Sequence, residues 1–232
     1  MQMVVVKNAD KGLEKAKELL YEEVDNKTVL LLSGGLTPKP LYSFLAKEKF
    51  LRPGAVGMVD ERFGKPFHEK SNELMIKESG LLDYLESQNI PFHPIIQPVI
   101  TRASAAELYD SKVRNLLFQF PKSVAVLGIG PDGHISSILP NRNDFMNPMF
   151  EASQKSRYIF DFDDKKLFGQ RIGMTFTALS AMDSLIVLVF GENKKQALKK
   201  MLQPGSIEEI PARFFIEPGV SKKTVIITDQ KV

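Results

Sequence analysis

Short apolar segments alternate along the chain with longer segments whose apolar residues recur at helical spacing. Five of the short segments are rich in Val, Ile and Leu, and they span 28–32, 55–59, 123–128, 184–190 and 224–228. Strands that are apolar at nearly every position are typical of a parallel sheet covered on both faces. The pattern therefore predicts buried parallel strands at these five places.

Helical periodicity is clearest in three of the longer segments. Segment 10–24 carries apolar residues at the spacing of one helix face, and Asp10 is predicted to cap it. Segments 101–120 and 194–202 repeat the pattern. The alternation predicts an α/β fold with a doubly wound, mostly parallel sheet and helices on both faces, a Rossmann-like three-layer sandwich. It leaves the order of the strands open.

The chain contains no internal repeat and no low-complexity tract. Segment 89–98 holds three prolines, and segment 140–148 is rich in Asn and Pro, so both are predicted to be loops within a domain. A length of 232 residues also lies within the size that one hydrophobic core can fill. We therefore expect a single domain over residues 1–232.

Composition narrows the class of protein. Lys and Arg total 31 against 28 acidic residues, a net charge of +3 that predicts neither nucleic-acid nor membrane binding. The absence of cysteine removes thiol chemistry, and three histidines nearly exclude a His-rich metal centre. Nothing resembles a signal peptide or a membrane helix. We expect a soluble, cytoplasmic protein, either a monomer or a small homo-oligomer.

A first candidate site follows the strand at 28–32, where segment 30–38 reads LLLSGGLTP. Gly34 and Gly35 allow the backbone to approach a ligand closely, and Ser33 and Thr37 add hydroxyl groups. The helix expected next would present unpaired N–H groups, which suit a phosphate. An ordinary strand-to-helix turn fits this segment equally well, because it matches neither the GxGxxG nor the P-loop pattern.

A second candidate is the charged run Asp60, Glu61 and Arg62 at the end of the next strand. Three successive charges are awkward in a core and natural at the rim of a site, where Arg can bind two oxygens of a phosphate or carboxylate. A solvated loop with an Asp–Arg pair explains the run as well. Downstream, Ser71 is predicted to be the N-cap of a helix.

A third candidate is the segment 124–137, VAVLGIGPDGHISS, in which a buried strand leads into three glycines, an Asp and a His. We expect His134 to lie near a helix start, where the helix dipole favours the neutral imidazole that a general base requires. Asp132 could accept a hydrogen bond from the other ring nitrogen. A capping His in a tight turn is the alternative, and the functional interpretation is favoured. His68 and His93 are expected to have surface or packing roles.

Two cations come late in the chain. Arg171 and Lys194 each adjoin the end of a predicted strand or helix, and together they would complete a pocket for a dianionic phosphoester. Isolated Arg and Lys side chains are usually solvated, so their positions alone do not single them out.

These blocks, in this order, resemble the 6-phosphogluconolactonase family, which shares a superfamily with glucosamine-6-phosphate deaminase. The segment 33–42, SGGLTPKPLY, is similar to the family's SGGSTPKPLY, and 60–62 with 71–72 matches its DER…SN block. Segment 128–134 matches its GxGxDGH turn, including Gly130. Arg171 and Lys194 fall in its late RIT and GxxK segments. The likeness extends from about residue 28 to residue 229.

The resemblance implies hydrolysis of 6-phospho-D-glucono-1,5-lactone to 6-phosphogluconate, in the oxidative pentose phosphate pathway, without a metal or cofactor. His134 would take a proton from the attacking water and return it to the ring oxygen. Arg62 would stabilise the oxyanion or hold sugar hydroxyls, and Asp60 belongs to the same substrate-binding set. The glycine turn, Arg171 and Lys194 would clamp the 6-phosphate, which is mostly dianionic at neutral pH.

Two other functions remain alternatives. Deaminases of the superfamily have Tyr where this chain has Arg62, and a Glu five residues beyond the His, where this chain has Leu139. A non-catalytic sugar-phosphate sensor is the second alternative, but the first expected strand begins by Val4 and leaves no room for a helix-turn-helix. Within the lactonase pattern, Leu36 replaces a small polar residue, and a tryptophan that many members have before the final Asp is absent.

Overall fold

A computed structural model describes residues 1–97, 101–142, 145, 148–164 and 169–232. The strands are β1 (Gln2–Val5), β2 (Thr28–Leu32), β3 (Ala55–Met58), β4 (Asp60–Arg62), β5 (Phe92–His93), β6 (Lys122–Gly128), β7 (Ile159–Asp164), β8 (Gly169–Met174), β9 (Ser184–Val189) and β10 (Thr224–Thr228). The α-helices are α1 (Ala9–Glu23), α2 (Lys39–Glu48), α3 (Asn72–Glu78), α4 (Leu81–Ser87), α5 (Arg102–Gln119), α6 (Pro148–Ser156), α7 (Phe176–Ala181), α8 (Lys195–Leu202) and α9 (Pro218–Ser221). Two 3-10 helices span Glu192–Lys194 and Pro211–Ile216.

The main sheet has seven parallel strands in the order β1-β10-β9-β6-β2-β3-β5. Every residue of β2 and β9 is buried, which explains why both are apolar throughout. The doubly wound α/β class predicted from the sequence is confirmed. From β2 the chain builds outward through β3 to β5, and from β6 it builds the other way to β9. The topological switch therefore lies between β2 and β6, and ligands bind at such a point beyond the carboxyl ends of the strands.

A second sheet was not predicted. It is antiparallel, has the order β4-β8-β7, and begins directly after Val59, where β3 has just ended. The charged run at 60–62 is therefore a strand rather than a solvated loop, and Arg171 lies within β8 rather than at an element's end. These strands escaped prediction because their sequences are short and mixed in polarity.

The helix boundaries agree with the periodicity, with two differences in detail. The N-cap of α1 is Asn8, whose side chain accepts a hydrogen bond from the N–H of Lys11, so the predicted Asp10 cap is wrong. Asp10 lies instead in the first turn, where its charge interacts favourably with the helix dipole. Helix α8 begins at Lys195, because residues 192–194 form a 3-10 turn.

The two segments predicted to be loops agree with the structure only in part. Segment 89–98 contains the two-residue edge strand β5, so that prediction is wrong in part; Pro98 lies outside the described residues. In segment 140–148, residues 143, 144, 146 and 147 also lie outside them, and helix α6 begins at Pro148.

The core is continuous around the main sheet and includes two fully buried tyrosines whose hydroxyls hold the backbone. Tyr109 donates to the carbonyl of Met58 and accepts from its N–H, at the end of β3. Tyr42 donates to the carbonyl of Ser33, at the end of β2. These three hydrogen bonds fix strand ends at the edge where the candidate site lies. In the part of the chain that the structure describes, no helix is both long and apolar enough to cross a membrane.

Candidate active site

A cavity of about 740 Å³ lies at the switch point, beyond the carboxyl ends of β2 and β6. Its size is ordinary for a small-molecule site. It brings together ten of the residues that the sequence singled out, namely Ser33, Gly34, Gly35, Thr37, Asp60, Arg62, Gly130, His134, Arg171 and Lys194. Asp132, the remaining one, reaches the cavity through its contact with His134.

The glycine loop after β2 is held from two sides. The N–H of Ser33 donates to the carbonyl of Val126 in β6, and the buried Tyr42 hydroxyl holds the Ser33 carbonyl. A Cβ on Gly34 would lie only 1.8 Å from Oδ1 of Asn72, so this position requires glycine. Helix α2 then begins at Lys39 without a side-chain cap, so its first N–H groups are not covered by one. Residues 33–38 of this loop line the cavity, and from Gly34 onward only Pro38 has no N–H group to offer an anion.

The turn after β6 holds a His–Asp pair. Nδ1 of His134 lies 2.6 Å from Oδ1 of Asp132, and the same oxygen accepts from the backbone N–H of His134 at 3.2 Å. The turn closes through the N–H of Gly130 on the carbonyl of His134. A Cβ on Gly130 would lie 2.1 Å from Nδ1 of His134, so only glycine leaves room for the pair.

His134 does not lie at a helix start, and the predicted effect of a helix dipole on this ring is therefore wrong. Residues 131–140 form turns with an isolated bridge between Ile135 and Ile138, and none of these residues is helical. The carboxylate of Asp132 orients the ring instead. Burial tends to raise the pKa of Asp132, but the hydrogen bond and charge of His134 outweigh it and lower that pKa below its usual value. An ionised Asp132 accepts from Nδ1–H, which makes Nε2 the acceptor nitrogen of the neutral ring.

Two arginines face each other across the second sheet. Arg62 in β4 and Arg171 in β8 are directly paired in the antiparallel register, and both line the cavity. Burial and the neighbouring charge of Arg62 lower the pKa of Arg171, with Asp60 and Glu61 opposing this. Like charges in opposite positions repel one another unless a negative group lies between them. The arrangement can therefore bind a dianion in a fork of two guanidinium groups.

Lys194 adds a third cation at the end of the 3-10 turn 192–194. Burial lowers its pKa, and the negative charge of Asp132 acts in the opposite direction. The turn itself is anchored because the N–H of Gly191 donates to the carboxylate of Asp229. Three cations thus line the cavity, together with the carboxylates of Asp10, Asp60 and Asp229.

Asp60 is fixed by two side chains that the sequence did not single out as site residues. Nδ2 of Asn72 donates to the backbone carbonyl of Asp60 at 2.8 Å, and Oγ of Ser137 donates to its Oδ2 at 2.8 Å. Ser71, on the other hand, is the N-cap of α3 as predicted, accepting from the N–H of Leu74. That cap places Asn72 at the cavity, so the helix-start signal was the available clue.

Ser136 and Ser137 both have positive φ, at 46° and 64°, which is uncommon for residues other than glycine. Their side chains compensate: Oγ of Ser136 donates to the carbonyl of Met174 at 2.9 Å, and Ser137 holds Asp60. Such strain is typical of functional sites. No sequence signal marks two left-handed serines.

Three buried polar atoms around the cavity lack a hydrogen-bond partner among the described residues. They are Oγ of Ser33, Oδ1 of Asn72 and Nε of Arg62. Buried polar groups are nearly always satisfied in folded proteins, so unpaired ones at the wall of a cavity indicate where a polar ligand binds. A ligand with several hydroxyl or phosphate oxygens would satisfy such groups.

The remaining candidates lie away from this cavity. Nε2 of His68 lies 2.9 Å from the carbonyl of Arg62, and His93 is part of edge strand β5, where burial lowers its pKa. Over the described ranges, no three His, Asp or Glu side chains group closely enough to hold a metal ion.

The fold and the cavity together define a class of protein: an open α/β domain with a polar small-molecule site that contains three cationic side chains and a His–Asp pair. A family model described as glucosamine-6-phosphate isomerases/6-phosphogluconolactonase matches residues 2–226. The chain belongs to this family, as its motifs predicted.

Named relatives come from the lactonase side of the family. A 6-phosphogluconolactonase from Nostoc sp. is 31% identical over 195 residues, covering 82% of this chain and 77% of the relative. The crystal structure of a 6-phosphogluconolactonase from Thermotoga maritima is 28% identical, with a TM-score of 0.74 and 97% of each chain covered. One from Shewanella baltica has a TM-score of 0.81 over 98% of this chain and 97% of its own, but at 20% identity it supports the fold alone.

Proposed function

We propose that this protein is a metal-independent 6-phosphogluconolactonase with His134 as its general base. One observation carries the proposal: the His134–Asp132 pair, with Nδ1 and Oδ1 2.6 Å apart, opens on the same cavity as the paired Arg62 and Arg171. Enzymatic hydrolysis of a sugar lactone that bears a phosphate needs both a general base and cationic groups that bind the phosphate. The names of its relatives point to the same substrate.

In this mechanism the 6-phosphate is bound at the cationic side of the cavity. Arg171, Lys194 and the backbone of the glycine loop hold its oxygens, and Arg62 adds a second guanidinium opposite Arg171. Asp60, fixed by Asn72 and Ser137, accepts hydrogen bonds from sugar hydroxyls. Because the lactone is intrinsically reactive, positioning of this kind supplies much of the rate enhancement.

The chemical step uses one water molecule. Nε2 of His134 takes a proton as the water oxygen attacks the lactone carbonyl carbon, and the carbonyl electrons move to its oxygen. As the tetrahedral intermediate collapses, the C–O bond to the ring oxygen breaks, and the ring oxygen receives the proton from Nε2. The product is a carboxylic acid that ionises in solution. Asp132 remains a carboxylate throughout and stabilises the transient imidazolium.

The deaminase alternative has less support from the site. Leu139, five residues beyond His134, is 8% exposed and packs in an apolar cluster with Ile138, Phe160 and Phe162. An aliphatic side chain in such surroundings cannot tune the imidazole by accepting a proton. The position that is Tyr in deaminases is Arg62, whose charge fits a phosphate or oxyanion.

A direct comparison of two assays tests the proposal. Purified protein is assayed for hydrolysis of 6-phosphogluconolactone above the spontaneous rate, and for ammonia release from glucosamine 6-phosphate. We expect the first activity alone, unchanged after treatment with EDTA. Ammonia release without lactone hydrolysis would assign the deaminase reaction, the absence of both would favour the sensor, and loss of activity with EDTA would overturn metal independence.

A further inference from the structure

A second cavity, of about 570 Å³, is lined by Glu73 of helix α3, whose neighbour Asn72 lines the candidate active site. Among the described residues its walls are mainly apolar and aromatic, with two acidic side chains and no basic one. The lining residues are Phe67, Glu73, Leu82, Leu85, Glu86, Asn89, Ile90, Pro91, Phe92 and Pro94. None of them lines the active-site cavity.

Glu73 is the unusual member of this set. It is only 4% exposed, and its Oε2 has no hydrogen-bond partner in the described part of the chain. Burial raises the pKa of its carboxyl, whereas a hydrogen bond from the backbone of Phe67 and the positive charge of Lys77 act to lower it. A buried carboxylate is normally paired, because an unpaired one loses its hydration without compensation.

The nearby cation does not pair with it. Lys77, one turn further along α3, lies over the ring of Phe67, 4.8 Å from its centroid, and none of the ion pairs in the described part of the chain joins it to Glu73. Glu86, at the rim, adds a second negative charge. A deep carboxylate, an aromatic wall and an acidic rim are together complementary to a cation with an apolar body.

We propose that this cavity, which we call the Glu73 pocket, binds a small organic ammonium ion with an aromatic or aliphatic body. The ammonium group would pair with the Glu73 carboxylate, and the body would pack on Phe67, Leu85 and Phe92. This site lies beyond the proposed lactonase function and does not depend on it.

The pocket adjoins the active site through the first turn of α3. The N–H groups of Asn72 and Glu73 donate to Oε1 and Oε2 of Glu61, at 2.7 and 2.8 Å. Asn72 faces the active-site cavity, and the next residue, Glu73, faces the pocket. A ligand in the Glu73 pocket would therefore contact the residue next to Asn72, whose side chain fixes Asp60 in the active site.

The test uses two probes of the same shape, benzylammonium and benzyl alcohol, titrated into the full-length protein by calorimetry and followed by NMR. We expect saturable binding of benzylammonium, about tenfold or more tighter than of benzyl alcohol, with shifts of the Phe67, Leu85 and Phe92 resonances. Equal affinities would mean a neutral, protonated Glu73 and would overturn the proposal, as would an absence of binding.

Two isosteric variants complete the design. Glu73→Gln should weaken benzylammonium binding about tenfold and leave the weak benzyl alcohol binding unchanged. Glu86→Gln removes an exposed charge at the rim and should change the affinity less than about twofold. Thermal unfolding confirms that each variant is folded; if Glu73→Gln is not, the contrast between the probes in the unaltered protein decides. Equal losses in both variants would contradict a role for Glu73.

Discussion

At the scale of single residues, the site depends on groups whose surroundings set their chemistry. The sequence indicated His134 and Asp132 by their glycine-rich context, but the helix dipole that it predicted beside the ring is absent. No helix begins at His134, and the Asp132 carboxylate, 2.6 Å from Nδ1, orients the ring. Ser137 could not be found as a site residue, because its contact with Asp60 joins positions 77 residues apart. For Asn72 the helix start at Ser71 was the available clue.

His134→Ala is the sharpest test of the proposed base. We expect kcat for 6-phosphogluconolactone to fall about 10²–10⁴-fold, the usual contribution of a general base, with the fold intact. The change is measured by steady-state kinetics, with circular dichroism as a check on folding. His93→Ala, which removes an imidazole outside the cavity, is the matched control and should retain wild-type turnover. If both variants turn over like the wild type, His134 is not the base.

The proposed binding of the 6-phosphate by Arg171 and Lys194 predicts a difference between phosphorylated and unphosphorylated lactones. Arg171→Ala should raise KM for the phosphorylated lactone about tenfold or more, since a charged hydrogen bond is lost, and should barely affect unphosphorylated gluconolactone. Lys194→Ala should behave in the same way. Lys195→Ala, which removes the exposed partner of Glu192, serves as the control. Parallel losses on both lactones would argue that these cations act elsewhere than on the phosphate.

At the scale of elements, what the sequence could predict depends on burial. Strands β2, β6, β9 and β10 were found because both of their faces are covered, so their apolar character is continuous. The second sheet was missed because β4 is a charged tripeptide that becomes a strand only when β8 pairs with it. The left-handed residues 136 and 137 are likewise set by tertiary contacts, with Met174 and Asp60.

The Glu61 side chain links β4 to the start of α3, and its burial leads us to predict that the stability of the protein depends on pH. Its side chain is fully buried and accepts from three backbone N–H groups, those of Arg62, Asn72 and Glu73. Burial outweighs these donors and raises its pKa to about 7 from 4.5. The folded protein therefore binds a proton that the unfolded chain has released between these values. Stability should fall as pH rises from about 4.5 to 7, by at most on the order of 3 kcal/mol from this group.

Urea unfolding at pH 5 and pH 8 measures the effect, with Glu61→Gln for comparison. The Gln variant cannot titrate, so the loss of stability between the two pH values should be smaller in it than in the wild type. If the variant folds poorly, the ¹³C shift of the Glu61 carboxyl in the wild type gives the midpoint directly. A midpoint near 4.5, or equal pH dependence in both proteins, would contradict the prediction.

At the scale of the whole molecule, the candidate site is assembled where the two sheets meet. The main sheet supplies the loops after β2 and β6, and the second sheet supplies Asp60, Arg62 and Arg171. The N–H of Met174 donates to the carbonyl of Val59, and Ser136 reaches the carbonyl of Met174, so β8 is tied to both the main sheet and the His134 turn. The sequence indicated many of the residues that line the active-site cavity but not the second sheet, which brings them together.

Gly173 lies at the junction of the two sheets. It is opposite Asp60 in β4 and Phe160 in β7, and a Cβ there would lie 2.4 Å from the backbone carbonyl oxygen of Ser136. A backbone oxygen cannot rotate away, so Gly173→Ala should push the turn that contains Ser136 and Ser137 away from β8. We expect a loss of about 1–3 kcal/mol in the free energy of unfolding, as for overpacked cores.

The proposed lactonase activity should be more sensitive than stability to this separation of the turn from β8. Separation of the turn from β8 moves Ser137 away from Asp60 and shifts His134 relative to Arg171, so kcat/KM for the lactone should fall even where the variant is fully folded. Gly219→Ala is the matched control, because no atom lies within 4 Å of its added Cβ, and it should keep wild-type activity and stability or gain slightly. If Gly173→Ala behaves like this control in both measurements, the two sheets do not position the site jointly, and the second layer contributes only its side chains.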